Sequence, residues 1–206
     1  MRTVPARKWS TTIATMVAAA SMLAGCAGGG GNPPIRYYVI DPVPAAAPAE
    51  ARDLTVEILG LTLPQYLERF QIATRSGADR LSFSDSHQWS ENLRKNLLRT
   101  LARNLGDRLG TVDIGTPQNR TAATPDLRLT VVVNAFERQT DGRVLLDARW
   151  QVMAGGTGAE VTTHAATLRS DAGIDAGNHD RIVAEMRALF GQLSDRISAT
   201  LLEVGA

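Results

Sequence analysis

Apolar side chains return every fourth residue through the middle of this chain. Trp89, Leu93, Leu97, Leu101, Leu105 and Leu109 fall on one stripe of a helix. Asp85 stands where an N-cap belongs, with Gln88 at the reciprocal capping position. Gly110 supplies the stop, and Gly106 is an alternative one turn earlier. A second stripe of helical period closes the chain: Ile182, Met186, Leu189, Phe190, Leu193, Ile197, Leu201 and Val204.

Between these helices the period changes to two. Leu127, Leu129, Val131 and Val133 alternate with Arg128, Thr130, Val132 and Asn134. Val144, Leu146, Ala148, Trp150 and Val152 alternate with Leu145, Asp147, Arg149 and Gln151. Asp141-Gly142 between the two runs is a strong hairpin signal. A third extended run, Val161 to Arg169, follows the turn Gly155-Gly156-Thr157-Gly158. Ahead of the first helix, Arg36 to Ile40 reads as a strand. Leu54 to Leu61 reads as another, with Leu54, Val56 and Ile58 on one face, ended by Pro64. Two short extended pieces, Gln71–Thr74 and Arg80–Phe83, flank the turn at Ser76-Gly77-Ala78-Asp79. Strands, helix, antiparallel strands, helix: the expectation is an α+β fold, a mostly antiparallel sheet with two amphipathic helices packed on one face.

The first 25 residues follow different rules. Arg2, Arg7 and Lys8 give a positive start, and Ile13 to Ala24 is apolar, uncharged and built from small residues. That stretch is shorter than the roughly 20 residues that cross a bilayer, and the pattern is that of a secretory signal. It ends at Leu23-Ala24-Gly25-Cys26, which resembles a bacterial lipobox. The resemblance implies cleavage before Cys26 and acyl chains of the palmitate type on that residue. Cys26 is the only cysteine among 206 residues, so it has no internal disulfide or CxxC partner. Ala27 occupies the position where Asp would imply inner-membrane retention, so the sorting rule for such lipoproteins implies the outer membrane.

Three acyl chains, at about 0.8 kcal/mol per buried methylene, make a permanent anchor. The expected organisation is a signal peptide at 1–25, a lipidated cysteine and flexible tether at 26–35, and a single domain at 36–206. The nine steps from Cys26 to Ile35 reach at most about 30 Å. A domain held that close to a bilayer works on whatever comes to it. Removing residues 1–25 takes away three of 22 basic side chains and none of 21 acidic ones, leaving 181 residues with a formal charge of −2. The apparent basic balance belongs to the signal, and nothing in the mature charge argues for nucleic acid.

Catalytic chemistry finds little support. His87, His164 and His179 lie on three separate segments without a metal-ligand spacing, and helix capping accounts for Asp85 beside His87. There is no GxSxG elbow, and Gly28 to Gly31 run into Pro33-Pro34 rather than into a helix, so they make no phosphate cradle. The expectation is a protein without catalytic residues, metal or cofactor beyond the lipid on Cys26. Arg94, Lys95, Arg99, Arg103 and Arg108 invite a membrane-binding reading of the first helix. Their spread around it favours a solvated surface with snorkelling stems.

One connection stands out. Leu63-Pro64-Gln65-Tyr66-Leu67-Glu68-Arg69 joins strand regions yet carries Tyr, two Leu and charges. Such a segment either folds back on its own core or presents a contact surface, where Tyr and Arg are enriched. Pro64, Tyr66, Leu67 and Arg69 are the candidate interface residues. This stretch, with the lipobox, Arg36-Tyr37-Tyr38, Gln71-Ile72-Ala73-Thr74-Arg75 and His87-Gln88-Trp89, resembles the ABC-type transport auxiliary lipoprotein family of the PqiC/YmbA kind. The similarity spans nearly the whole mature chain and is most specific from Leu63 to Trp89. Phe70 departs from it, since the family pattern usually has Pro there.

The resemblance implies a non-enzymatic role on the periplasmic face of the outer membrane. It implies a homo-oligomeric ring and a partner of the mammalian-cell-entry (MCE) type, belonging to an inner-membrane transport complex that moves lipid and maintains the envelope. The alternative is a structural or assembly lipoprotein that binds another outer-membrane protein without lipid traffic.

Overall fold

The computed structural model describes residues 33–46, 50, 52–121 and 124–205. The signal peptide, Cys26 and most of the tether lie outside the described residues. From Ile35 onward the chain forms one compact unit. Its elements are β1 (Arg36–Tyr38), β2 (Val56–Thr62), a 3-10 turn (Gln65–Glu68), β3 (Gln71–Gly77), β4 (Arg80–Trp89), α1 (Leu93–Leu109), β5 (Ile114–Gly115), β6 (Leu127–Arg138), β7 (Val144–Ala154), β8 (Glu160–Arg169) and α2 (His179–Val204).

Among the described residues the architecture is mixed α+β, one eight-stranded and largely antiparallel sheet with two helices. The long strand β6 organises it. One edge of β6 pairs antiparallel with β7, which pairs antiparallel with β8. The other edge is shared: β2 runs parallel along Leu127 to Val132, and β3 touches it at Thr74–Arg138. Beyond β3 come β4 and then β1, which pairs parallel with β4 and is an edge of the sheet.

The period-two pattern turns one face of β6 and β7 inward. Leu127, Leu129, Val131, Val133, Val144, Leu146, Ala148, Trp150 and Val152 are all buried, while Arg128, Thr130, Asn134, Asp147 and Arg149 are not. The apolar stripe of α2 covers that face, and the leucine stripe of α1 joins the same core from beside it, against β2 and α2. Phe136 and Phe190 meet with ring centroids 6.2 Å apart, and the Trp150 indole N–H donates to Thr200 Oγ1 at 3.2 Å, tying β7 to α2. Gly142 has a φ of 85° in the β6–β7 turn, and Gly110 ends α1 in the left-handed conformation, donating its N–H to Gly106 O.

The start of α1 corrects the sequence reading. Asp85, His87, Gln88 and Trp89 belong to β4, and the N-cap is Asn92, whose side chain accepts from Lys95 N. Trp89 does share a four-residue spacing with the leucines. Its backbone, however, pairs with Tyr38 on β1 and donates to Phe70 O at 2.7 Å. Ladder bonds on both sides of β4 outweigh helix periodicity here. In β2 a register shift between Ile58 and Gly60 leaves Leu59 exposed and restores Leu61 to the core, so simple alternation breaks inside the strand.

Candidate partner interface

Pro64 precedes the 3-10 turn with φ −56° and ψ 142°, and the turn reverses the chain between β2 and β3. The two leucines of the motif point inward. Leu63 and Leu67 are both in the core, Leu67 with 3% exposure. Leu67 therefore anchors the segment, and its side chain is not offered to a partner. Tyr66 is half-buried, and its hydroxyl donates to Glu137 Oε2 at 2.8 Å. Arg69 is exposed, with its guanidinium carbon 4.7 Å from the Phe83 ring centroid. Gln65, Tyr66, Glu68, Arg69 and Phe83 line a hollow of about 540 Å³, and Phe70 beside it is exposed. Of the four sequence-predicted interface residues, Arg69 is the one whose functional group is open.

Beneath the motif lies a polar group that sequence reasoning missed. Glu137 is completely buried. A bulge in β6 between Val133 and Ala135 shifts the phase, so that Phe136 faces the core and Glu137 turns under the motif. Its carboxylate accepts from Tyr66 Oη, Arg75 Nε at 3.3 Å, Phe136 N at 2.9 Å and Gln139 Nε2 at 2.8 Å. A buried carboxylate is tolerable only with such a donor set. Burial, then hydrogen bonding to Glu137, pushes the Tyr66 hydroxyl well above its ordinary pKa. Glu68 fixes the other end of the motif, accepting from Asn92 Nδ2 at 2.6 Å and Arg94 Nε at 2.9 Å at the head of α1.

A second unforeseen feature is the strap from Ile40 to Pro44. Asn96, Thr100, Asn104 and Arg108 repeat every four residues on α1, beside the leucine stripe. Asn96 accepts from Ile40 N at 2.8 Å and donates back to Ile40 O at 3.1 Å, as a strand neighbour would. Thr100 donates to Ile40 O, Asn104 accepts from Val43 N, and Arg108 donates to Val43 O. From α2, Arg187 donates to Asp41 O and Pro42 O, and Gly191 makes room for Val43. The polar ladder was the available signal: four hydrogen-bonding residues at helical spacing next to a buried stripe. Arg108, expected on a solvated surface, instead has a side chain only 6% exposed.

The histidines are not as separate as the sequence spacing implies. His87 of β4 and His179 at the start of α2 stack with centroids 4.0 Å apart and planes 9° apart. His87 Nδ1 is within hydrogen-bonding distance of Ser84 Oγ and Ser86 Oγ, and Tyr38 donates to Asp180 at 2.7 Å alongside. Burial, then the neighbouring His87, lowers the pKa of His179. Asp85 caps no helix, since it lies within β4. Among the described residues no three His, Cys, Asp or Glu side chains group as metal ligands. No helix among them is long and apolar enough to cross a membrane. A larger hollow, about 640 Å³ beside Ala102, Arg103, Asp107 and Val112, has no His, Ser or Cys among the described residues lining it.

The family model for the ABC-type transport auxiliary lipoprotein component matches residues 38–198, from the last residue of β1 through most of α2. The chain belongs to that family. Membership makes it an auxiliary lipoprotein of ABC-type transport, in a family of transport components rather than enzymes. Such a lipoprotein is membrane-anchored and periplasmic. The fold is shared with solved structures of low sequence identity. One is a Xanthomonas campestris protein of the DUF330 family, with a TM-score of 0.67 at 12% identity, covering 82% of this chain and 95% of that one. Another is an uncharacterised protein with a TM-score of 0.66 at 17% identity, covering 82% and 99%. A search of curated proteins returned no match.

Proposed function

We propose that this auxiliary lipoprotein is the outer-membrane docking subunit of an MCE-type lipid transport system. Cys26 carries the lipid, and the folded unit works as a non-catalytic receptor for a partner arriving from the inner-membrane complex. The observation that carries the reading is the family match across residues 38–198. The lipobox with Ala27 supports the outer membrane as its site, and a tether of at most about 30 Å makes a partner that bridges the periplasm necessary. Several copies assemble into a ring that receives the partner.

The contact surface in this reading is the outer side of the 63–69 motif. Arg69 over Phe83, with Phe70 and Pro64 at its borders, is an arginine-and-aromatic patch of the composition found at interface centres. Leu67 and the Tyr66–Glu137 bond hold that patch rigid from below, which lowers the entropic cost of binding.

A photo-crosslinking residue at position 69 in intact envelopes tests this. Recovery of an MCE-domain protein is the expected result. Self-crosslinks alone would reassign the patch to a contact between copies of this chain. Crosslinks to neither would sink the interface.

A further inference from the structure

Seven large hydrophobic residues are exposed among the described residues, and three of them sit together where the tether joins the fold. Ile35, Tyr37 and Val39 are 45%, 64% and 37% exposed. They alternate through β1 and the single residues that flank it, Tyr37 within the strand and Ile35 and Val39 on either side, so they share one side of an extended chain. The opposite side turns toward the rest of the fold: Tyr38 donates to Asp180, Arg36 makes an exposed ion pair with the same carboxylate, and Ile40 is in the core. β1 pairs only with β4, so the row lies on an edge strand with nothing beyond it among the described residues.

We propose that the Ile35–Tyr37–Val39 row is a bilayer-contact surface, which seats this domain on phospholipid in one orientation. The inference rests on the reading of Cys26 as lipidated. Given that anchor, the row begins at the first residue of the fold. The nine steps from Cys26 to Ile35 hold it at most about 30 Å from the acylated sulfur. The lipid surface is thus always within reach, for a single copy as for an assembled ring, whereas the partner must arrive from across the periplasm. Tyr beside Ile and Val suits the headgroup boundary, where an amphipathic ring keeps its hydroxyl wet and its body apolar. Three side chains bury too little area to hold a protein on a membrane alone. Added to a permanent anchor, they are enough to choose a face. The orientation matters because a lipid-linked unit that tumbles presents its partner surface at random.

The test uses the full lipidated chain in vesicles of phosphatidylethanolamine and phosphatidylglycerol. Acylation blocks the only native thiol, so Tyr37→Cys and, as a control on β8, Ala165→Cys each carry a single reactive site for an environment-sensitive dye. With nitroxide-labelled lipid present, the dye at residue 37 should be quenched several-fold more than the dye at residue 165. Mass spectrometry of Cys26 and vesicle flotation are read on the same samples.

Equal quenching at both sites in acylated, vesicle-bound protein would overturn the bilayer contact and leave the anchor standing. Dye–dye self-quenching at residue 37 without lipid quenching would overturn it in favour of a contact between copies. An unmodified Cys26 in protein that stays off vesicles would overturn both readings.

Discussion

Tyr66 donates its hydroxyl hydrogen to Glu137 across 71 positions of sequence, at 2.8 Å, and so pins the most distinctive surface segment of the chain to the C-terminal end of its longest strand. The bond makes the 63–69 motif a folding element as well as a surface. It also separates two kinds of substitution that sequence alone would treat alike.

Tyr66→Phe removes one donor from a carboxylate that keeps three others. It should cost about 1–3 kcal/mol, as expected for a hydrogen bond to a charged group. Glu137→Ala strands Arg75 and Tyr66 together and should cost roughly 3–5 kcal/mol. Urea unfolding of the two variants measures the difference. A Glu137→Ala protein as stable as Tyr66→Phe would mean the buried carboxylate is not the anchor of the motif.

The same bond sets an alkaline limit. Burial and Glu137 raise the Tyr66 pKa in the folded state above its ordinary value of 10.0. The folded form therefore retains a proton that the unfolded chain gives up. Its contribution is complete below pH 10, the unfolded value, and is lost as pH rises further. Stability should fall as pH climbs above that point, more steeply in the native protein than in Tyr66→Phe. Identical slopes in the two proteins would remove Tyr66 from the explanation.

His179 gives the opposite limit. Burial and the stacked His87 lower its pKa from the ordinary value of 6.5, so the fold favours the neutral ring. The contribution is present above the unfolded pKa and disappears as pH falls through the depressed folded value. Acidification below pH 6.5 should loosen the corner formed by β1, β4 and the start of α2. His179→Phe keeps an aromatic surface but cannot charge, and should flatten stability over that acidic window. Imidazole titration by NMR checks the direction of the shift independently.

How far the fold could be read from sequence depended on whether pairing was local. β6, β7 and their Asp141-Gly142 turn were legible because alternation and turn chemistry agree over neighbouring residues. The start of α1 was not, because Trp89 obeys the spacing of the leucine stripe while its backbone belongs to a ladder with Tyr38, 51 positions away. The motif at 63–69 was visible as an anomaly, but its division into an inward Leu67 and an outward Arg69 needed Glu137. That residue lies far along the chain, and a bulge delivers it. The strap left a fainter trace. Asn96, Thr100 and Asn104 on a buried helix face are costly unless something accepts and donates in return, and that something is the backbone of residues 40–43.

The strap carries its own prediction. Asn96→Ala leaves both Ile40 N–H and part of the Ile40 carbonyl without partners in a buried setting, at roughly 1–3 kcal/mol. Gly191→Ala places a methyl 3.0 Å from Val43 Cγ2, so the strap has to shift. Both variants should expose residues 40–44 to proteolysis before the sheet unfolds. A strap that stays resistant in both would show that side-chain burial of Ile40, rather than the polar ladder, secures it.

The clearest separation of folding from docking comes from the motif itself. Leu67→Ala empties a core position and should cost about 2–5 kcal/mol. Arg69→Glu changes an exposed group with no carboxylate in bonding distance among the described residues, and surface changes of that kind stay within about 0.5 kcal/mol. If the patch docks a partner, Arg69→Glu should abolish crosslinking to that partner and impair the envelope barrier at unchanged stability. Leu67→Ala should do so only as far as the protein unfolds. An Arg69→Glu protein that is as stable as the native one and captures the partner equally well would move the interface elsewhere on the fold.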